Sequence, residues 1–152
     1  MTVLVDTNVL LRVNHDGHPQ SATAQETISR LINTSHDLRT VPQVLYEYWA
    51  VATRPVESNG LGFPSSVANR WLVVWGDVFP TFRDERGVLD EWWRLVVDHE
   101  VSGKTTHDAR LVAAMIRHSV THLLTFNVSD FKRYDEIVVF SPDAYLAGEV
   151  RL

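Results

Sequence analysis

Thr2-Val3-Leu4-Val5-Asp6-Thr7-Asn8-Val9-Leu10-Leu11 joins an apolar, β-branched run to a helix-like pattern through one aspartate. Residues 2–5 read as a buried strand, and a helical period resumes at Thr7. Asp6 then stands at the C-terminal tip of a first, central parallel strand. Open α/β sheets place their ligands in the crevice at that edge.

Outward from this junction, strands and helices alternate. Residues 20–34 carry Ala24, Ile28, Leu31 and Ile32 at amphipathic spacing. Leu38 to Val41 is a short strand, and Pro42 suits the start of a helix over 43–53. That helix stops before Arg54-Pro55, because the residue preceding a proline is pushed out of the helical region. A loop with Gly60 and Gly62 follows, then a helix opened by Pro64 and Ser65 and running through Trp75. Val78 to Phe82 is expected to be a strand, and 84–99 a helix. Gly103 breaks the chain before a helix from Thr106 to His118. Strands at His122–Phe126 and Ile137–Phe140 precede a terminal helix over 142–147. The alternation predicts an α/β fold of three layers, α/β/α, with a mainly parallel central sheet covered on both faces.

At 152 residues, without repeats, low-complexity tracts or linkers, the chain reads as one domain with a sizeable core. Its 45% hydrophobic and 22% charged content is ordinary for a globular protein. The absence of cysteine excludes disulfides, thiolate zinc sites and cysteine nucleophiles. It also fits a reducing compartment, so a cytoplasmic location is expected. No apolar run approaches a membrane span, and no basic segment leads into an export signal. A net charge of -5 argues against a general duplex-binding protein. It leaves room for a nucleic-acid enzyme, since bound divalent cations reverse the sign of a local carboxylate cluster.

Four acids fall where an active-site carboxylate would be useful: Asp6, Glu47, Asp108 and Asp130. Each also has a plainer reading. Glu47, among Leu45, Tyr46, Tyr48, Trp49 and Val51, fits the exposed stripe of its helix, and taken alone that reading is preferred. Asp108 in a first helical turn is stabilised by the helix dipole, with Thr105 or Thr106 available to cap. Asp130, past Leu123-Leu124-Thr125-Phe126, fits a turn. Three of the four lie near C-terminal strand ends or the entrances of following helices, which share one edge of a parallel sheet. Gathered carboxylates repel unless protonated or metal-bound, and hard oxygen ligands suit Mg²⁺ or Mn²⁺. Such clusters serve phosphodiester hydrolysis best.

In order and spacing these segments resemble PIN-domain ribonucleases, most of all the VapC toxins of type II toxin–antitoxin modules. The matching stretches are Leu4 to Leu11, Glu47 in a helix ending Ala52-Thr53-Arg54-Pro55, His107-Asp108-Ala109-Arg110-Leu111-Val112-Ala113-Ala114, and Leu123 to Phe131. They run in family register over nearly the whole chain. The resemblance implies that Asp6, Glu47, Asp108 and Asp130 form an acidic quartet binding Mg²⁺ or Mn²⁺. Asp6 and Asp108 would be direct ligands, and Asp130 and Glu47 would reach the metal directly or through water. Thr7, Asn8, Thr125 and Asn127 would line the site. Some members of the family carry an acid where Asn127 stands, and a neutral amide holds a second cation less strongly. The resemblance further implies an RNA substrate, a cognate VapB-like antitoxin and a homodimer. It also marks residues 60–84 as a helical insertion that shapes the substrate groove or a partner surface.

The seven histidines raise zinc, and His118 and His122 are four apart. Val120-Thr121 begins a strand, so the two do not share a helical face. His107 beside Asp108 reads as a helix-entrance residue. Most of the five tryptophans, Trp49 included, are expected in the core. An exposed one among Trp71, Trp75, Trp92 and Trp93 would mark a dimer, antitoxin or base-stacking surface. Arg12, Arg54, Arg110 and Arg133 are candidates for phosphate contacts, with solvated surface charge the default. The leading function is a metal-dependent endoribonuclease acting on single-stranded RNA. Two alternatives stand beside it. One is a catalytically weak RNA-binding or assembly module of the same fold. The other is a haloacid-dehalogenase-type phosphatase with Asp6 as nucleophile, which this chain answers with Asn8 where that class has a second aspartate.

Overall fold

Val3, Leu4 and Val5 are fully buried, so β1 (Thr2–Val5) has no solvent face. A strand buried on both sides belongs inside a parallel sheet. The structure, a computed structural model describing residues 1–152, places it there. Four parallel strands run in the order β2-β1-β3-β4, where β2 is Asp37–Arg39, β3 His122–Leu124 and β4 Val138–Phe140. Leu4 pairs with both Arg39 and Leu123, and Leu123 with Val139, so the C-terminal strand ends share one edge. The chain leaves β1 toward β2 and later returns to its other side at β3. The crevice of the sheet is therefore between β1 and β3.

Seven helices complete the fold: α1 (Thr7–Val13), α2 (Ser21–Asn33), α3 (Pro42–Ala52), α4 (Ser65–Val78), α5 (Val88–Asp98), α6 (Thr106–Arg117) and α7 (Pro142–Leu146). α1 packs on α2 and α3, α3 on α4, α2 on α7, and α5 on α6. α6 is the most enclosed, with Ala109 and Leu111 to Met115 all buried, which anchors Asp108 at its entrance. No helix is long and apolar enough to cross a membrane.

Two expectations are corrected. Residues 78–82 do not form a strand. α4 continues to Val78, and only Thr81 bridges Thr40. Pro80 within the segment has no N–H to offer a ladder. The tryptophans are also less buried than expected. Trp75 is core, Trp49, Trp71 and Trp92 are half-buried, and Trp93 is 63% exposed. Trp71 stacks on Trp75 at 5.4 Å, sharing the aromatic face of α4 rather than entering the centre.

The loop after α3 turns back to satisfy the carbonyls that end the helix. Leu61, Gly62 and Phe63 donate from their backbone N–H groups to Val51, Arg54 and Ala52, at 2.8–3.1 Å. Gly60 sits so close beneath this turn that a Cβ would lie 2.0 Å from the Arg54 carbonyl oxygen. Gly60→Ala must push backbone aside, which costs about 2–3 kcal/mol. For a domain of this size that lowers Tm by roughly 5–10 °C. A melting temperature within about 2 °C of wild type would refute the packing account of this turn.

Candidate active site

Asp6 is held at the crevice by a closed set of hydrogen bonds. Its backbone N–H extends the sheet to the Leu124 carbonyl at 3.0 Å, and its side chain caps α1 by accepting from Thr7 N at 2.7 Å. The other carboxylate oxygen accepts from Thr125 Oγ1 at 2.7 Å and from Asn8 Nδ2 at 2.9 Å. Asn8 also donates to Thr125 Oγ1 and accepts from Phe126 N. Asn127 N donates to Thr125 Oγ1 at 3.0 Å. The ends of β1 and β3 are thus stitched together through the side chains of Asp6, Asn8 and Thr125.

Glu47 faces the same crevice from α3. One of its oxygens accepts from Thr7 Oγ1 at 3.2 Å, and the other from Gln43 Nε2 at 2.9 Å. Gln43 is a residue that sequence reasoning missed. It is buried, and also donates to the His107 carbonyl at 2.8 Å and accepts from Arg110 Nη1 at 3.0 Å. It therefore ties α3 to the entrance of α6. Its position one helical turn before Glu47 was the available signal, since residues four apart share a helix face.

Asp108 is half-buried in the first turn of α6, and Asp130 is exposed in the short 3₁₀ turn Val128–Phe131 after β3. Electrostatics show that the four acids share one neighbourhood. Burial pushes the Asp6 carboxyl up to about 6, against the hydrogen bonds from Thr125 and Thr7 and with added repulsion from Glu47 and Asp108. Burial likewise pushes Asp108 up to about 6, followed by repulsion from Asp130 and Glu47, with His107 and Arg133 opposing. Burial first, and repulsion among the acids second, thus raises both carboxyls above the ordinary range.

The donor set is hard oxygen with an excess of negative charge, which fits Mg²⁺ or Mn²⁺ in kind. No three His, Asp or Glu side chains converge closely enough to hold one ion as they stand. The fit is one of chemistry and charge.

Of the arginines, Arg54 lines the depression with Asp6, Glu47 and Asn127, Arg110 borders the next depression, and Arg133 acts on Asp108. Arg12 instead bonds Gln20. The two histidines weighed for zinc have separate partners. His118 stacks on Phe82 with its Nε2 at the Arg83 carbonyl, and His122 bonds Thr121.

A parallel sheet in the order 2-1-3-4, with helices on its faces and acids at the first strand's tip, defines a doubly wound α/β class whose site lies at the C-terminal strand edge. The profile of the PIN domain matches residues 3–137, and the chain belongs to the PIN-domain family. Membership places it among nucleases, which are hydrolases. No curated protein matches the chain in sequence. Among solved structures, the chain resembles VapBC-1 of nontypeable Haemophilus influenzae at a TM-score of 0.70 and 12% identity, covering 94% of this chain and 99% of that one. It resembles VapBC2 of Rickettsia felis, bound to a fragment of promoter DNA, at 0.69 and 14% identity, covering 93% and 98%. It resembles VapC20 of Mycobacterium tuberculosis, a sarcin–ricin loop cleaving toxin, at 0.60 and 19% identity, covering 99% of both chains. At such identities the likeness is one of fold.

Proposed function

We propose that the chain is a metal-dependent endoribonuclease that hydrolyses phosphodiester bonds in single-stranded regions of RNA, as the toxin of a toxin–antitoxin pair. The observation that carries this reading is the hydrogen-bonded cluster that brings Asp6 of β1's tip and Glu47 of α3 to one opening, with Asp108 of α6 and Asp130 of the turn after β3 in the same neighbourhood. Asp6 and Asp108 would hold Mg²⁺ or Mn²⁺ directly, and Glu47 and Asp130 would complete the set. A divalent ion there supplies Lewis acidity toward water and the attacked phosphate.

The chain's own groups do the rest. Thr125 and Asn8 fix the Asp6 carboxylate, Thr7 and Gln43 fix Glu47, and Asn127 lines the opening. Arg54, Arg110 and Arg133 would meet phosphates on either side of the cleavage point. Asn8 is committed to orienting Asp6, so it supplies no acid of the kind a phosphatase with an aspartyl nucleophile needs.

The solved neighbours include VapBC proteins and a toxin–antitoxin complex, which supports a VapB-like partner; a homodimeric toxin belongs to the same reading. Residues 60–84 contribute α4 and end at Asp84, which pairs with Arg110 at 3.3 Å. We read that segment as an insertion that shapes the substrate groove.

The test is cleavage of a structured RNA pool by wild type and by Asp6→Asn, in Mg²⁺, Mn²⁺ or EDTA. Discrete products are expected only from wild type with metal. If no RNA is cut, or if both proteins cut alike, the chain is a binding module of the same fold and not a nuclease.

A further inference from the structure

Beyond the acids, the surface continues as a track of three depressions. The first, about 300 Å³, contains Asp6, Glu47 and Asn127. The second, about 500 Å³, shares Glu47 with it and adds Tyr46 and His107. The third, about 470 Å³, shares His107 and Arg110 with the second and lies between α5, the entrance of α6 and the chain at Asp84. Its walls are the Trp92 indole, Val88 and Leu89, with Arg86, Arg110 and Asp84 at the edges.

We propose that this third depression binds a nucleobase of the strand that flanks the cleaved phosphate, one depression away from the acids, and so selects which RNA is cut. The inference rests on the ribonuclease reading and adds to it the residues of a base-recognition pocket.

The chemistry favours a base over other occupants. A nucleobase has flat apolar faces and an edge that mixes donors with acceptors. The pocket offers an aromatic and aliphatic wall together with guanidinium donors and a carboxylate acceptor. A bare phosphate would meet Asp84 and Glu85, which flank the same space. The volume is in the ordinary range for small-molecule sites, roughly 300–1,000 Å³.

The wall is also preorganised. Trp92 Nε1 donates to the Thr106 carbonyl at 2.9 Å, which fixes the indole before any ligand arrives. Arg110 is held from two sides, by Gln43 Oε1 at 3.0 Å and Asp84 at 3.3 Å. Arg86 takes part in no ion pair and is exposed, so it can turn to a ligand. Exposed Tyr46, 65% accessible, stands in the middle depression between this pocket and the acids. A single strand following the track would pass an aromatic ring on each side of His107. Stacking of this kind tolerates many bases, and the polar rim would set the preference.

The experiment follows the indole N–H signals of the full chain by NMR, in EDTA, while adenosine, cytidine, guanosine and uridine monophosphates are titrated in turn. Trp92→Phe assigns the Trp92 signal. Leu89→Asp and Arg86→Ala alter the pocket at exposed positions that leave the core intact. The expected result is a shift of the Trp92 signal with no shift of buried Trp75, and with one nucleotide binding most tightly. Leu89→Asp should weaken that binding roughly tenfold. In parallel, the ends of RNA fragments made by wild type and Leu89→Asp are sequenced, and the variant should change the base preference at a flanking position.

An unmoved Trp92 signal, or cut sites identical in wild type and Leu89→Asp, overturns the pocket and leaves the nuclease standing. Nucleotide binding at Trp92 in a protein that cuts no RNA supports the pocket and removes the ribonuclease reading. The two ideas therefore fail separately.

Discussion

Asp6→Asn is expected to reduce RNA cleavage at least a hundredfold and, at pH 7.5, to make the protein slightly more stable than wild type. The kinetic bound comes from neighbouring groups. Losing a residue that merely orients a metal ligand costs about 10–100-fold, so losing a ligand costs at least the upper end of that. The stability gain comes from the buried charge. Asp6 titrates at about 6 in the folded chain, against 3.8 for the free side chain. Between those values the native state binds more protons than the unfolded state, so stability falls as pH rises through the window and the loss is complete just above pH 6. The gap corresponds to about 3 kcal/mol, on an order-of-magnitude scale. A neutral amide avoids that loss, but its NH₂ cannot accept from Thr125 and Asn8, which returns about 1–2 kcal/mol. The net at pH 7.5 is about 1–2 kcal/mol in favour of the variant, or roughly 2–6 °C in Tm. At pH 4.5, where wild type holds its proton, the order reverses. The same melting difference at both pH values would sink the electrostatic account. Retention of more than a tenth of wild-type cleavage would remove Asp6 from the metal site.

The β1–Asp6–α1 junction could be read from sequence because burial and periodicity change abruptly at one residue. Val3 to Val5 are fully buried, and Asp6 is both the strand tip and the helix cap. The enclosed helix α6 was equally clear, its apolar side-chain spacing being what the core demands. The segment at 78–82 misled because its residues are apolar for other reasons: Val78 and Phe79 end α4, Phe79 is fully buried with its carbonyl at Thr40 Oγ1, and Phe82 stacks on His118. Propensity does not distinguish those two uses of bulky residues. Gln43 was missed for a different reason, its spacing from Glu47 being the one hint. Its role arises from contacts with His107 and Arg110, more than sixty residues away in the chain, which only the fold brings near. The aromatic wall at Trp92 is of the same kind. Adjacent tryptophans on α5 face different ways, and only packing against α6 determines that Trp92 meets the groove while Trp93 meets solvent.

Binding of Mn²⁺ should weaken about a hundredfold between pH 7.5 and pH 5. A cation needs ionised carboxylates, so protons compete with it for the same oxygens. Asp6 and Asp108 both titrate at about 6. At pH 7.5 both are ionised, whereas at pH 5 each is about nine-tenths protonated, and each then reduces apparent affinity about tenfold. Because the two carboxyls repel, their protons come off as a coupled pair, which spreads the dependence over a wider range without changing its sign. The measurement is isothermal titration of Mn²⁺ at several pH values in buffers of different ionisation enthalpy, where proton release should grow as pH falls from 7.5 toward 5. At Mn²⁺ about a hundred times its Kd, the folded state should gain about 2.7 kcal/mol. That is roughly 5–10 °C in Tm, abolished by EDTA and reduced in Asp6→Asn. Ordinary carboxylates, ionised throughout this interval, would give an affinity nearly independent of pH. A flat profile would therefore place the ion elsewhere, because any site built on these two acids must release their protons to form.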